Sequence, residues 1–287
     1  MKILVLGASG MLGNALFKVL SKNNDYDVYA STRNNLKKSF FPSQLTSKII
    51  EGIDLENIDM LSSLLAQVKP DVVINCVGII KQLEQANNPL YAVPLNILLP
   101  HRLSQMCTLI NARLIHFSTD CVFSGSKGNY IESDETDAKD FYGRSKLLGE
   151  VYCSNTITLR TSVIGHELNS SYGLIDWFLS QKTAIKGYTK MIFSGLASYE
   201  LAKVVGNFVI PNTKLYGLYH VGAVPISKFE LLKLVSNEYK KDLTIEPCDK
   251  IKINRSLNYS LFQKASGYRA PSWHQMISEM YSFYKED

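Results

Sequence analysis

A chain of 287 residues, 46% hydrophobic and 20% charged, can bury one large α/β core with room for a smaller lobe. Its net charge of +5 comes from scattered residues with no long basic run, which suits a phosphorylated ligand and requires no nucleic-acid partner. The five cysteines are odd in number and contain no C-x-x-C pair, which argues against a disulfide framework or a zinc site and for a reducing compartment. Glycine at position 7 comes too early for a signal peptide, and no apolar run reaches membrane-spanning length. A cytoplasmic protein with no membrane contact is therefore expected.

The first element is a short apolar run, Lys2 to Leu6, read as a fully buried strand. Gly7-Ala8-Ser9-Gly10-Met11-Leu12-Gly13 follows at once, and Met11 to Leu20 has helical apolar spacing. Strand, glycine turn and helix in that order make a dinucleotide site of Gly7, Ser9, Gly10, Met11 and Leu12. Gly7 allows the tight turn, Gly10 lets backbone approach a pyrophosphate, and Gly13 lets the helix pack close. The helix N-terminus presents free N–H groups and a positive dipole end to the anion.

Tyr26 to Ser31 reads as a second strand. Its end lacks the carboxylate that would hold a ribose hydroxyl, and Arg33 is available for a 2′-phosphate, so NADPH is expected, with NAD as the other candidate. Ser47 to Ile53 is a third strand, ending in Asp54 and Leu55 beside the adenine. A helix over Ile58 to Val68 precedes a fourth strand, Asp71 to Cys76, whose continuous apolar run implies burial on both faces. Cys76, Val77 and Gly78 would let the cofactor pass close to backbone. Asn88 to Met106 is a long helix containing Asn96. Arg113 to Phe117 is a fifth strand, with Ser118-Thr119-Asp120 at its C-terminal end, where ligands bind in an open parallel sheet.

A polar loop, Ser124 to Asp140, leads to a helix carrying Tyr142 and Lys146. Spaced four apart, they share one helix face. An ammonium beside a phenol favours the phenolate, so the phenol releases its proton more readily. The Thr119 hydroxyl could hold the oxygen that receives it. That is the equipment for ketone reduction, with Tyr142 as the acid. Taken alone, the spacing occurs on many solvated helices; the glycine turn and the strand-end threonine give it meaning. Asn155 to Arg160 is a sixth strand. Helices follow near Gly173 to Gln181, Ser198 to Phe208, Ile226 to Tyr239 and Trp273 to Tyr284. The alternation implies a Rossmann-type, doubly wound parallel sheet with a smaller C-terminal α/β substrate lobe. The expected division is 1–160, with 195–220 returning to it, against 161–194 and 221–287.

Three motifs, Gly7-x-x-Gly10-x-x-Gly13, Ser118-Thr119-Asp120 and Tyr142-x-x-x-Lys146, together resemble the extended short-chain dehydrogenase/reductases, and within them the dTDP-4-dehydrorhamnose reductase family. Ser118-Thr119-Asp120-Cys121-Val122-Phe123-Ser124-Gly125 is similar to that family's S-T-D-Y-V-F-x-G. Glu135-Thr136-Asp137, Tyr142-Gly143-Arg144-Ser145-Lys146 through Gly149-Glu150, and Leu159-Arg160-Thr161-Ser162 match its E-T-D, Y-G-x-[ST]-K-x-x-G-E and L-R-T-S. Arg255-Ser256-Leu257-Asn258 is similar to its R-P-x-N, with serine for proline. The resemblance covers nearly the whole chain. It implies NAD(P)H-dependent reduction of the C4 ketone of a nucleotide-linked 4-keto-6-deoxy sugar, in synthesis of a deoxyhexose for surface polysaccharide. Tyr142 would be the acid, Thr119 the orienting hydroxyl, and Lys146 would bind the nicotinamide ribose. Thr119, Cys121, Val122, Phe123 and His166 would line the sugar site.

Two departures fall where the sugar should sit: Cys121 replaces the family tyrosine, and Val163 stands where tryptophan is often found. In the related GDP-fucose synthases a cysteine at the first of these positions works with a histidine in epimerisation, so Cys121 and His166 could make the chain a bifunctional 3,5-epimerase/4-reductase. Packing is the simpler reading of both. The resemblance also admits a non-catalytic NADP-binding regulatory subunit, like the β-subunit of methionine adenosyltransferase. No metal site is expected, and a homodimer is compatible with the family.

Overall fold

Strand and helix alternate through the first half of the chain as the apolar pattern dictates. The computed structural model describes residues 1–34 and 40–285. In it, β1 (Lys2–Leu6) leads into α1 (Met11–Leu20), β2 (Asp27–Ser31), β3 (Ile49–Ile50), α2 (Ile58–Val68) and β4 (Val72–Asn75). A helical run over 89–109 is built of α3 (Pro89–Ala92), a π-helical segment Val93–Leu98 and α4 (Leu99–Leu109). Then come β5 (Arg113–Thr119), α5 (Phe141–Leu148) and β6 (Thr156–Thr161). The remainder runs β7 (Val163–Ile164), α6 (Leu174–Ser180), β8 (Ile185–Tyr188), β9 (Met191–Phe193), β10 (Leu196–Ala197), α7 (Ser198–Val204), β11 (Gly217–His220), β12 (Ile226–Ser227), α8 (Lys228–Glu238), β13 (Ile245–Cys248), β14 (Ile253–Asn254), α9 (Ser260–Ser266) and α10 (Trp273–Lys285).

Seven strands form one parallel sheet in the order β11-β6-β5-β4-β1-β2-β3. The chain winds outward from β1 on one side and from β4 on the other. The crevice for a ligand therefore opens at the C-terminal ends of β1 and β4. Alternation along β1 sorts the core into two layers. Ile3 and Val5 join Phe17, Leu201 and Met276 on one face, whereas Leu4 and Leu6 join Leu61, Leu65, Leu95 and Leu103 on the other. The first layer continues into the C-terminal lobe through Phe193, Ile226 and Leu231. That lobe carries a three-stranded sheet, β12-β9-β14, and the pairs β13-β8 and β10-β7.

The third strand is shorter than the sequence predicts. A 3-10 turn, Ser43–Lys48, takes its first two residues and pairing stops before Glu51, leaving two half-buried isoleucines at the sheet edge. The helix expected from Ile226 starts at Lys228, because Ser227 and Glu230 form a reciprocal capping box and Ile226–Ser227 pairs as a strand. The π-helical segment inside 89–109 contains Pro94, which lacks the N–H that a regular turn needs. Among the described residues, no helix is long and apolar enough to cross a membrane.

Candidate active site

The glycine turn is built by close approaches. Gly7 has φ +82°, and its N–H and that of Ala8 donate to Ser31 O at 3.1 and 3.0 Å. A Cβ at Gly13 would lie 2.2 Å from Gly7 O, so the helix packs onto the turn only as glycine. Gly10 differs: its nearest neighbour would be at 3.5 Å, an ordinary contact. It caps α1 with no side-chain hydrogen bond, and with Ser9 it is exposed. The head of α1 at Ser9 and Gly10 is thus open and its first-turn N–H groups have no side-chain cap, a fitting cradle for a pyrophosphate. Leu12 is half-buried against the first core layer. The Met11 side chain reaches the C-terminal lobe, beside Gly165 and Gly173.

Across the switch point, Asn75 Oδ1 accepts the Val77 N–H at 3.1 Å, and the Val77 side chain abuts Gly7. Asn96, fully buried in the π-helical segment, accepts the Ile79 N–H at 2.8 Å and donates to Ser145 Oγ at 3.0 Å. It braces the loop after β4 against α5. A Cβ at Gly78 would lie 2.9 Å from Asn96 Oδ1 and 3.8 Å from Lys146 Nζ, so Gly78, Asn96 and Lys146 meet at one point.

Helix α5 brings Tyr142 to Thr119. Asp140 caps it, accepting the Gly143 N–H at 2.8 Å and pairing with Lys81 at 2.6 Å. Gly143 lies so close to Cys121 O that a Cβ would come within 2.2 Å, and Gly149 stands equally tight against Asn96 O. Thr119 accepts the Cys121 N–H at 3.1 Å and donates to Asp120 Oδ1 at 3.2 Å.

The electrostatics correct one expectation from the sequence. Lys146 Nζ does not turn to the phenol but donates to Phe117 O at 2.7 Å. Burial pushes the Tyr142 phenol above its ordinary range, Cys121, Asp120 and Asp140 push it further, and the Thr119 hydroxyl opposes them. Lys146 is drawn down to about 8 by the same burial, against the support of Glu150 and Cys76. The Cys76 thiol is itself raised by burial.

Arg33 is exposed, two residues beyond β2. Asp54 is exposed and accepts the Glu56 N–H at 3.1 Å, while Leu55 packs into the second core layer. Val122 and Phe123 are fully buried with Tyr130 and Leu257, so neither is presented to an open surface where a sugar could touch it. Burial, then Asp120, pushes the Cys121 thiol up to about 12. Both nitrogens of His166 are engaged, Nδ1 by Asp176 and Nε2 by Tyr239 at 2.8 Å. Cys121 is instead under the influence of Asp120, Arg255, Lys81 and Thr119.

Sequence reasoning assigned no role to the buried polar frame beneath the site. Arg160 Nε and Nη2 donate to Glu150 at 2.7 and 2.8 Å, and Ser118 Oγ donates to Glu150 at 2.6 Å. Arg160 is 2% exposed and Glu150 3%. An arginine inside an otherwise uncharged central strand was the available signal, since such a charge needs a partner.

Comparison with known proteins gives a consistent picture. The family described as RmlD substrate binding domain matches residues 1–285. A dTDP-4-dehydrorhamnose reductase of Aggregatibacter actinomycetemcomitans is 25% identical over 309 residues, covering 98% of this chain and 99% of that one. Methionine adenosyltransferase 2 subunit beta of Bos taurus is 28% identical over 149 residues, 52% of this chain and 41% of that one. A crystal structure of dTDP-4-dehydrorhamnose reductase from Bacillus anthracis in complex with NADP is similar in fold, with a TM-score of 0.79 at 21% identity over 98% of this chain and 99% of that one.

Proposed function

The chain belongs to the RmlD substrate binding domain family, and from that premise we propose that it is an NADPH-dependent reductase of the C4 ketone of a nucleotide-linked 4-keto-6-deoxy sugar. One observation carries the reading: the Tyr142 phenol meets the Thr119 hydroxyl at the C-terminal edge of the sheet, with Lys146 one turn along α5 beside Gly78, across the crevice from the exposed glycine turn. A relative that aligns with 98% of this chain is a dTDP-4-dehydrorhamnose reductase.

On this reading the first-turn N–H groups of α1 hold the pyrophosphate, Arg33 takes the 2′-phosphate, and Lys146 binds the nicotinamide ribose. NADPH, when bound, supplies the hydride. Thr119 Oγ1 orients the sugar O4. Tyr142 Oη gives that oxygen its proton. A phenol whose pKa is pushed up by burial keeps its proton until a stronger base forms beside it, and a developing alkoxide is such a base. Residues 161–194 and 221–285 would hold the sugar nucleotide. The product, a 6-deoxyhexose on its nucleotide carrier, would serve a surface polysaccharide, and a reducing cytoplasm suits five cysteines that are all free.

The purified protein should oxidise NADPH when given a 4-keto-6-deoxy sugar nucleotide. Tyr142→Phe should cut turnover by about a hundredfold or more while NADPH still binds. Full turnover in that variant would remove Tyr142 as the acid.

A further inference from the structure

No step of the proposed reduction uses His166. It stands at the start of a loop, 165–173, that leaves β7 and enters α6. Both ends of the loop are glycines, and Met11 lies against both. A Cβ at Gly165 would come within 3.1 Å of Met11 Cγ, and a Cβ at Gly173 within 3.1 Å of Met11 Cε. Met11 is the first residue of α1, whose first-turn N–H groups have no side-chain cap. Whatever holds this loop therefore steadies the head of that helix.

Carboxylates close the loop on itself. Asp176 of α6 accepts the Glu167 N–H at 2.6 Å and also takes His166 Nδ1. Glu167 accepts Ser170 Oγ at 2.7 Å and the Tyr172 N–H at 2.8 Å. An ionised carboxylate only accepts, so Asp176 fixes the imidazole proton on Nδ1. That leaves Nε2 as an acceptor, and the Tyr239 hydroxyl, just past the end of α8, donates to it at 2.8 Å. Tyr284, from α10, meets the same imidazole edge-to-face with ring centroids 4.7 Å apart. Its hydroxyl is hydrogen-bonded to that of Ser198 at 3.1 Å, and a Cβ at Gly165 would lie 2.4 Å from the same Ser198 oxygen. One imidazole thus joins the loop to α6, α8 and α10. Histidine suits the place because a single rigid ring offers a donor on one edge and an acceptor on the other.

We propose that His166 is a positioning residue for the dinucleotide: by tying loop 165–173 to Tyr239 it keeps Met11, and with it the first-turn N–H groups of α1, where the pyrophosphate is received. This rests on the reading of the glycine turn as the cofactor site and not on the identity of the sugar. It gives the imidazole a task other than epimerisation, for which one of its engaged nitrogens would have to be released.

The experiment is titration of the full chain with NADPH and, separately, with adenosine 2′-phosphate, which has the group assigned to Arg33 and no pyrophosphate. Tyr239→Phe keeps the ring and removes one hydrogen bond. His166→Asn keeps a donor for Asp176 and no longer reaches Tyr239. Each should weaken NADPH binding about fivefold, as the loss of one hydrogen bond does. The double variant should lose no more than either alone, because both remove the same tie. Met11→Ala should show a similar loss, to which Tyr239→Phe adds little. Adenosine 2′-phosphate should bind every variant as it binds the wild type. Unchanged NADPH affinity in Tyr239→Phe and His166→Asn would overturn the proposal, and so would losses that add in the double variant. Equal weakening of NADPH and adenosine 2′-phosphate would overturn it too, since the tie would then serve the fold in general. A wild type that binds no NADPH would sink the cofactor reading and the proposal together, whereas a wild type that binds it leaves that reading standing whatever the variants do.

Discussion

Burial acts on Tyr142 and Lys146 in opposite directions, and both shifts suit a proton donor at neutral pH. The phenol is held in its acid form, while the lysine, drawn down to about 8, is charged only below that value. If the charged amine is needed to hold the ribose, kcat/KM should decline as pH rises through about 8. Glu150 supports the Lys146 proton, so Glu150→Gln should move that limb to lower pH. The check is a pair of pH–rate profiles, and superimposable limbs would remove Glu150 from the account. Stability follows the other sign. With its folded pKa below its unfolded value, Lys146 contributes most to stability above the ordinary lysine value, and that contribution is lost as pH falls through about 8. A loss of rate above pH 8 is therefore not unfolding through this group. The Tyr142–Lys146 spacing was legible in the sequence because a helix fixes it. The direction of the phenol's shift was not, because it depends on which neighbours surround the ring and on Lys146 turning to Phe117 O.

At the scale of the element, helix α5 is positioned by contacts that leave no room for a methyl group. Gly143 rests on Cys121 O, and Gly149 rests on Asn96 O, where a Cβ would come within 1.8 Å. Both neighbours are backbone, so a side chain cannot be accommodated by a rotamer change. Gly149→Ala should lower stability by about 1–3 kcal/mol, as overpacking does. It should also reduce kcat by separating Lys146 from Gly78 and Asn96, with substrate KM less affected. Urea denaturation and steady-state kinetics would check this, and a variant of wild-type stability and rate would show that the contact is not what places the helix. The sequence revealed α1, α2 and β1 to the residue: β1 is an unbroken apolar run that stops at Gly7, α1 starts directly after Gly10, and the helix α2 closes before Pro70. It showed the glycines of α5 as part of a motif without their purpose, since both contacts are with residues distant in the chain. The short strands of the C-terminal lobe, two to four residues each, are too brief to show a period at all.

At the scale of the whole molecule, one hydrophobic layer runs from Ile3 in the first strand to Phe283 in the last helix, passing through Phe193, Ile226 and Trp273. The sheet and the C-terminal lobe share that layer, so the chain is expected to unfold as one unit. The sheet loses one face of its cover if the C-terminal lobe opens. Heating should give a single transition, the same by far-UV circular dichroism and by tyrosine and tryptophan fluorescence. NADPH would bind only the folded crevice, so a hundredfold excess over its Kd should add about 2.7 kcal/mol and raise that one transition by roughly 5 °C. Two transitions, with only the first moved by NADPH, would mean that the shared layer does not couple the lobe to the sheet. A single transition that NADPH shifts intact would mean that cofactor bound at the glycine turn also steadies the C-terminal lobe. The Met11 side chain, beside Gly165 and Gly173, is one contact next to the glycine turn through which that coupling would pass.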